Sequence, residues 1–221
     1  MPKTEVIVVA DADELAARAA GVFMSAASAH VEQKRRFVVA LSGGSTPRGM
    51  YRLLAASPAL SEVPWERTHL FWADERCVPA NHPESNFGAA WRDFLHVLPL
   101  PHENIHCIRG DFPPEEAAEA YELELRRFFQ LGEGEFPIFD LVFLGVGKDG
   151  HTASLFPDAG AAPDESRLAM AVKGGTPNIG RVTLTYPVLN RARQIVFLVA
   201  GREKAEVVKA LLEGTRPELP A

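Results

Sequence analysis

The sequence predicts an α/β protein whose mostly parallel sheet carries helices on both faces. Short apolar runs recur along the chain, and segments with helical apolar spacing alternate with them, as in strand–helix–strand units. Some runs, such as residues 141–144, are apolar at every position, which is typical of strands buried on both faces. A length of 221 residues allows a substantial core. We expect one domain over residues 1–221, although two tightly joined lobes would also fit this length.

The individual elements follow from local patterns, taken in chain order. Asp11 with Glu14 resembles a capping box, and an acidic first turn at Glu115 and Glu116 suits the dipole of a later helix. Helices are predicted at residues 12–29, 47–56, 86–95, 113–130 and 201–212, with a frayed Pro-rich segment after the last. Strands are predicted at residues 5–10, 36–41, 68–73, 104–108, 141–144, 168–172, 181–186 and 194–200.

The composition is that of an ordinary globular protein, with 47% hydrophobic and 24% charged residues. A net charge of −6 argues against a nucleic-acid partner, since such partners require a basic surface. No apolar run approaches the ~20 residues that span a bilayer, so no membrane partner is expected. Cys77 and Cys107 each stand alone, and the first residues do not resemble a signal peptide, so we expect a cytoplasmic protein.

A run of small residues follows the strand at 36–41 and leads directly into a helix. With Thr46 as N-cap and Pro47 as the first helical residue, backbone N–H groups, hydroxyls and the positive end of the helix dipole would converge. This arrangement favours an anion, most naturally phosphate, although a plain turn that requires glycine would look similar. A Walker loop is excluded because its Gly-Lys-Ser/Thr is missing. The predicted phosphate ligands are Ser42, Gly43, Gly44, Ser45 and Thr46.

Charged residues follow the third predicted strand. Asp74, Glu75 and Arg76 form either a solvated edge or part of a site, and their position favours a site because parallel strands present their carboxyl ends together. Arg76, Arg181 and Lys204 each lie at a strand end or a helix start. Singly they would be surface charges, but with the small-residue run they could surround a doubly charged phosphate.

The most informative stretch is FDLVFLGVGKDGHTASLFP, residues 139–157. Its glycines match G-x-G-x-x-G, the dinucleotide fingerprint, but that fingerprint should open a full helix and the run from His151 soon meets Pro157. We therefore interpret the glycines as structural. They let the chain turn sharply and bring Asp149 and His151 to the carboxyl end of a buried strand.

A histidine in that position can accept a proton from water near neutral pH. A carboxylate that accepts a hydrogen bond from the other ring nitrogen would fix its tautomer, and either Asp149 or Asp74 could be that carboxylate. The alternative is a surface histidine that caps a turn. The other histidines are scattered without a good ligand spacing, so no metal is expected, and the absence of Gly-x-Ser-x-Gly argues against a serine nucleophile.

Several short stretches, spread over nearly the whole chain, form a recognisable set. They are LSGGSTP at 41–47, WADER at 72–76, PESN at 83–86, GVGKDGHTASLFP at 145–157, RVTLT at 181–185 and GREKAE at 201–206. In this order they resemble the glucosamine-6-phosphate isomerase/6-phosphogluconolactonase family, and the stretch at 145–157 is the most specific. The resemblance implies the sheet fold of glucosamine-6-phosphate deaminase and ribose-5-phosphate isomerase, and hydrolysis of 6-phospho-D-glucono-1,5-lactone without a metal or cofactor.

The resemblance also implies roles for individual residues. His151 would be the general base that activates water, Asp149 would support its loop, and Arg76 would neutralise the carbonyl oxygen of the lactone. Residues 43–46, with Arg181 and Lys204, would hold the phosphate. Such chemistry is consistent with these residue types, because a lactone is an activated ester that needs a water, a base and an oxyanion partner but no covalent nucleophile.

The deaminase branch is the main competitor, because it shares the phosphate loop and an Asp-Gly-His loop. Two departures from that branch favour a lactonase: Arg76 replaces a tyrosine, and Phe156 stands where the deaminases keep a glutamate used in isomerisation. A non-catalytic sugar-phosphate sensor remains as a third possibility, against which the trio of Asp149, His151 and Arg76 argues. We expect a monomer, and we interpret residues 158–164 as an extended loop or a lid.

Overall fold

The structure, a computed structural model, describes residues 4–56, 59–157 and 166–221. The predicted lid at 158–164 therefore lies outside the described residues. The strands are β1 Phe37–Leu41, β2 Thr68–Trp72, β3 Asp74–Arg76, β4 Ile105–His106, β5 Leu141–Gly145, β6 Ala169–Gly174, β7 Ile179–Leu184 and β8 Ile195–Leu198. The helices are α1 Ala12–Lys34, α2 Arg48–Leu54, α3 Ala59–Glu62, α4 Asn86–Asp93, α5 Pro114–Phe129, α6 Tyr186–Asn190 and α7 Ala205–Glu213.

Among the described residues, five strands form a parallel sheet in the order β4-β2-β1-β5-β8. Every residue of β1 is buried, as is almost all of β2 and β5, so both faces of the central strands are covered. The predicted α/β fold with a mostly parallel sheet is thereby confirmed. Since all five strands run in one direction, the loops that follow β1, β2, β5 and β8 leave the sheet at a common edge.

A smaller antiparallel sheet, in the order β3-β7-β6, continues from the parallel one. Ala73 joins the two sheets: its N–H donates to Leu41 O at 2.8 Å, and its C=O accepts from Leu184 N at 2.8 Å. The charged triplet after β2 is thus a short strand. Its antiparallel pairing places Arg76 opposite Arg181.

The predicted strand at residues 5–10 is wrong. This segment forms no strand, and Val8 is 89% exposed. The β-branched sequence favours extended backbone, but a strand needs a neighbouring edge with which to exchange hydrogen bonds, and no described strand pairs with this segment. The helix that follows does begin as predicted, because the Asp11 carboxylate accepts from the backbone N–H groups of Asp13 and Glu14.

The structure has no helix, among its described residues, that is long and apolar enough to cross a membrane.

Two histidines on neighbouring strands make stability depend on pH. His69 Nδ1 lies 3.2 Å from His106 Nε2, and His106 Nδ1 lies 2.7 Å from Glu124 Oε1. Burial, followed by the nearby His106 and Arg36, lowers the pKa of His69 from 6.5 to about 4. Burial also lowers the pKa of His106, although the hydrogen bond to Glu124 opposes this. The unfolded chain therefore binds more protons between pH 6.5 and about 4, and folding stability falls as pH decreases through that window.

Replacing His69 with glutamine, which does not titrate, should flatten this dependence. We expect a smaller slope of the free energy of unfolding against pH between pH 4 and 6.5, measured by urea unfolding. The same replacement at the exposed His96 is the control and should keep the wild-type slope. A His69→Gln variant with the wild-type slope would contradict this assignment.

Candidate active site

The predicted site residues gather at the carboxyl edge of the parallel sheet. Residues 42–46 follow β1, residues 146–151 follow β5, and Lys204 comes shortly after β8. Asp74 and Arg76 lie on β3, directly after β2. The parallel order of the strands, rather than their separation in the sequence, brings these groups to one side of the protein.

His151 and Asp149 form the central pair of the site. His151 Nδ1 lies 2.6 Å from Asp149 Oδ1, and the backbone N–H of His151 donates to the same oxygen at 3.2 Å. Burial opposes ionisation of Asp149, but these hydrogen bonds outweigh it, so the pKa of the carboxyl lies below its ordinary value. An ionised carboxylate can only accept, so Nδ1 carries a proton, and the neutral form of the imidazole has its lone pair on Nε2. Of the two carboxylates considered for this role, the structure joins Asp149 to the imidazole.

The loop between β5 and His151 is closed by its own backbone. Gly147 N–H donates to His151 O at 2.8 Å, and Gly150 N–H donates to Gly147 O at 3.0 Å. A Cβ at Gly147 would overlap the imidazole of His151 and the carboxylate of Asp149, so only glycine fits there. No helix opens in residues 151–157, the described residues that follow Gly150, and the stretch therefore lacks the geometry of a dinucleotide fingerprint.

Two arginines, Arg76 and Arg181, lie opposite each other on the adjacent strands β3 and β7. Arg181 is 3% exposed and, within the described residues, forms no ion pair. Its Nε donates to Gly174 O at 3.0 Å, and its guanidinium lies 5.5 Å from the centre of the Phe156 ring. Burial and then the positive charge of Arg76 lower the pKa of Arg181. Asp74, Glu84 and Glu75 also lie near enough to raise that pKa in part. Within the described residues none of them forms an ion pair with Arg181, so its charge favours an anionic ligand.

Among the described residues, the Arg76 guanidinium is held through its Nη1 atom alone. Its Nη1 donates to Glu84 O at 2.7 Å and to Glu84 Oε2 at 3.3 Å. Its Nε is buried and has no hydrogen-bond partner among the described residues. A buried donor without a partner is unfavourable in the free protein, so this group has hydrogen-bonding capacity left for a ligand.

Phe156 contacts both the imidazole of His151 and the guanidinium of Arg181 through its ring. Its ring lies 4.8 Å from that of His151 and under the guanidinium of Arg181. The ring also packs against Gly174 and Gly175, where a side chain would overlap it. An aromatic ring in this position separates two groups that would repel each other whenever the imidazole is protonated.

Asp74 belongs to a separate hydrogen-bond network. Its Oδ2 accepts from Ser154 Oγ at 2.6 Å, and its backbone C=O accepts from Asn86 Nδ2 at 2.9 Å. Asn86 in turn packs against Gly43. The predicted phosphate loop is therefore in contact, through Asn86, with the strand that carries Asp74 and Arg76.

Glu75 points to the opposite face of β3, as alternate residues of a strand do. Its carboxylate accepts from the backbone N–H groups of Asn86 and Phe87, each at 2.7 Å, and from Ser85 Oγ at 3.1 Å. Burial raises the pKa of Glu75 to about 7, against the effect of these hydrogen bonds. Glu75 therefore fastens the first turn of α4 to β3, and with it the position of Asn86.

The small-residue loop differs in detail from the prediction. α2 begins at Arg48 with Pro47 as N-cap and without a side-chain cap, so Thr46 is not the N-cap. Arg48 N–H donates to Ser45 O at 3.4 Å, a turn that delays the helix by one residue. Ser42 is buried, and its hydroxyl donates to Phe143 O at 2.8 Å, so its only hydroxyl proton is already engaged.

Lys204 lies in a short 3₁₀ turn, Arg202–Lys204, before α7. It is half-buried and makes no ion pair with any residue that the structure describes. In the same described part of the chain, no group of three or more His, Cys, Asp or Glu side chains is arranged to hold a metal ion.

Sequence reasoning missed Asn86, Ser154 and Glu84 as members of the site. Asn86 and Ser154 lie within stretches that stood out in the sequence, but their roles depend on contacts with Asp74. Glu84 also lies in such a stretch, PESN at 83–86, but its contact with Arg76 arises from the path of the loop that follows β3.

A methyl group at Gly43 should disturb this network. Because the Cβ would overlap the Asn86 amide, a Gly43→Ala variant must displace either the loop or Asn86. We expect kcat/KM to fall by about tenfold or more on a phosphorylated substrate, since displacements near 1 Å have such effects. Gly21→Ala on α1, where a Cβ would have no atom of the described residues within 4 Å, is the control and should keep full activity. Equal activity of the two variants would refute the role given to the Gly43–Asn86 contact.

Comparison with known proteins places the chain in a defined family. The family model of glucosamine-6-phosphate isomerases/6-phosphogluconolactonase matches residues 10–221. A 6-phosphogluconolactonase from Nostoc sp. is 41% identical over 204 residues, or 91% of this chain and 82% of that protein. The structure of 6-phosphogluconolactonase from Trypanosoma brucei is 29% identical, with a TM-score of 0.87 over 99% of this chain and 90% of that one. A monomeric glucosamine-6-phosphate deaminase, 20% identical with a TM-score of 0.79 over 96% of this chain and 88% of its own, shares the fold alone.

Proposed function

This chain belongs to the glucosamine-6-phosphate isomerase/6-phosphogluconolactonase family, and we propose that it hydrolyses 6-phospho-D-glucono-1,5-lactone to 6-phosphogluconate in the oxidative pentose phosphate pathway. Its relative from Nostoc sp. is itself a 6-phosphogluconolactonase. The observation that carries the proposal is the His151–Asp149 pair, whose imidazole contacts Phe156, the ring that also packs against the Arg181 guanidinium. In this pair Nε2 is free to accept a proton, and Phe156 rather than an acid lies against the ring.

His151 is the general base of the proposed reaction. Its Nε2 removes a proton from a water molecule as the water oxygen attacks the lactone carbonyl carbon. Asp149 holds Nδ1–H, which fixes the tautomer and stabilises the imidazolium that forms. When the tetrahedral intermediate collapses, the bond to the ring oxygen breaks, and the imidazolium returns its proton to that oxygen. The products are a hydroxyl group and a carboxylic acid, so atoms and charge balance.

Arg76 stabilises the oxyanion of that intermediate. Its buried Nε has no partner among the described residues, and Glu84 restrains the guanidinium through Nη1. A donor that is already oriented toward developing negative charge loses little free energy to reorganisation during the reaction. Asp74, whose carboxylate accepts from Ser154, keeps β3 and Asn86 in place rather than acting as the partner of the base.

Phosphate is held at the opposite end of the substrate. The ligands in this proposal are Arg181, Lys204 and the loop residues Gly43, Gly44, Ser45 and Thr46. Arg181 supports this assignment most directly, since it is a buried cation that forms no ion pair with any residue the structure describes. Ser42 is left out because its hydroxyl donates to Phe143 O. Anchoring a dianion at one end fixes the position of the carbonyl at the other.

The expectation that the protein works in the cytoplasm as a monomer, without metal or cofactor, remains part of the proposal. It rests on the isolated cysteines and on the residue types of the site. Treatment with a chelator should leave the activity unchanged. Loss of activity that a divalent cation restores would overturn the metal-free mechanism, and size-exclusion chromatography with light scattering would decide the oligomeric state.

The decisive assay supplies freshly made lactone and follows ring opening against the spontaneous rate. A lactonase should accelerate opening in proportion to protein concentration. Absence of acceleration, together with tight binding of 6-phosphogluconate, would instead favour a sugar-phosphate sensor. Release of ammonia from glucosamine 6-phosphate would move the assignment to a deaminase.

A further inference from the structure

The segment after α7, residues 214–221, folds back onto the protein instead of fraying. α7 ends at Gly214, whose φ of 64° reverses the chain, and Leu219 N–H then donates to Arg216 O at 3.1 Å. The Leu219 side chain is 7% exposed and packs with Val146 and Val207 in a small apolar cluster. The expectation of a frayed segment is therefore wrong, because an apolar residue within it finds a buried site.

Gly150 is the point at which this segment meets the catalytic loop. The side-chain atoms of Leu219 occupy the space where a Cβ of Gly150 would stand, with Cδ2 only 2.7 Å from that position. Gly150 also has a φ of +88°, which side chains rarely adopt. Ala221 N–H donates to Gly150 O at 3.2 Å. Gly150, the residue before His151, is thus restrained both by the apolar contact with Leu219 and by the hydrogen bond from Ala221.

The peptide unit between Gly150 and His151 is held at both of its polar atoms. Its oxygen accepts from Ala221, and its N–H donates to Asp149 Oδ1 at 3.2 Å. Rotation of this unit would break both hydrogen bonds and carry the imidazole away from its place. The segment after α7 therefore restrains the backbone from which the general base projects.

We propose that Leu219 is a positioning residue for the hydrolysis, acting through Gly150 on the placement of His151. The inference rests on the proposed function, because it assigns a purpose to the placement of the base. Leu219 touches no reacting atom. Its contribution is to exclude the alternative positions that a glycine-rich loop would otherwise sample.

A Leu219→Ala variant tests this directly. Removal of the atoms packed on Gly150 should lower kcat by about tenfold and leave KM within about twofold, because phosphate binding does not involve this loop and misplacement of a catalytic group reduces turnover. Hydrogen exchange of the Gly147 and Gly150 amides, whose bonds close the loop, should become faster in the same variant. Both measurements are made well below the melting temperature of the variant.

Two further variants separate positioning from general loss of stability. Leu219→Met conserves volume and should restore both kcat and slow exchange. Leu212→Ala, at a residue on α7 that is 57% exposed, should change neither. Wild-type kcat and wild-type exchange in Leu219→Ala would overturn the inference. If the wild-type protein fails to open the lactone, the proposed function fails, whereas the exchange comparison still decides whether Leu219 holds the loop.

Discussion

Replacing His151 with alanine is expected to lower kcat for lactone hydrolysis by about 10²–10⁴-fold, the usual contribution of a general base. KM should change little, since the imidazole is bonded to Asp149 and is not among the proposed phosphate ligands. The measurement is steady-state hydrolysis of fresh lactone, corrected for spontaneous opening. The exposed His96, replaced by alanine, is the control and should keep full activity.

An Asp149→Asn variant extends this test to the partner of the base. Asparagine can occupy the same space, but it cannot carry the negative charge that stabilises the imidazolium, and its amide can favour the wrong tautomer. We expect kcat to fall here too, with KM again little changed. Wild-type kcat in His151→Ala would show that another group activates the water, whatever the result for Asp149.

Replacing Arg181 with methionine is expected to raise KM by about 10- to 100-fold, since a hydrogen bond to a charged group contributes about 1.5–3 kcal/mol. The free energy of unfolding should stay the same or rise. The Arg181 guanidinium is buried beside Arg76, and burial and that charge lower its pKa, so the folded protein holds the cation at a disadvantage. Gain of stability with loss of affinity is typical of a residue kept for its ligand.

Thermal unfolding with and without 6-phosphogluconate completes the Arg181 experiment. The ligand should raise the melting temperature of the wild-type protein and have a much smaller effect on Arg181→Met. Arg191 gives a matched control, because its guanidinium also lies over a phenylalanine, Phe136, but is exposed. Unchanged KM in Arg181→Met, or a loss of more than about 3 kcal/mol of stability, would point to a structural role instead.

The sequence predicted well those strands and helices whose formation depends on local patterns. Continuous apolar runs located the central strands to within about two residues, as is usual for element boundaries. α4 begins at Asn86, the first residue of the predicted helix, and Ser85 caps it, since the Ser85 hydroxyl accepts from Gly88 N–H at 2.9 Å. The predicted strand at residues 5–10 is wrong because a local pattern alone does not decide whether a strand forms. Strand formation there depends on a partner edge, about which a local pattern carries no information.

By itself, the sequence determined which residues stand at the ends of parallel strands, and thus that His151, Arg76 and the small-residue loop share one edge of a sheet. Only the tertiary structure decided which contacts they make. The antiparallel pairing of β3 with β7 sets Arg76 against Arg181, and Asp149 rather than Asp74 reaches the imidazole. Leu219, far along the chain, packs on Gly150. These contacts depend on strand register and side-chain direction, which arise from long-range packing rather than from neighbours in the sequence.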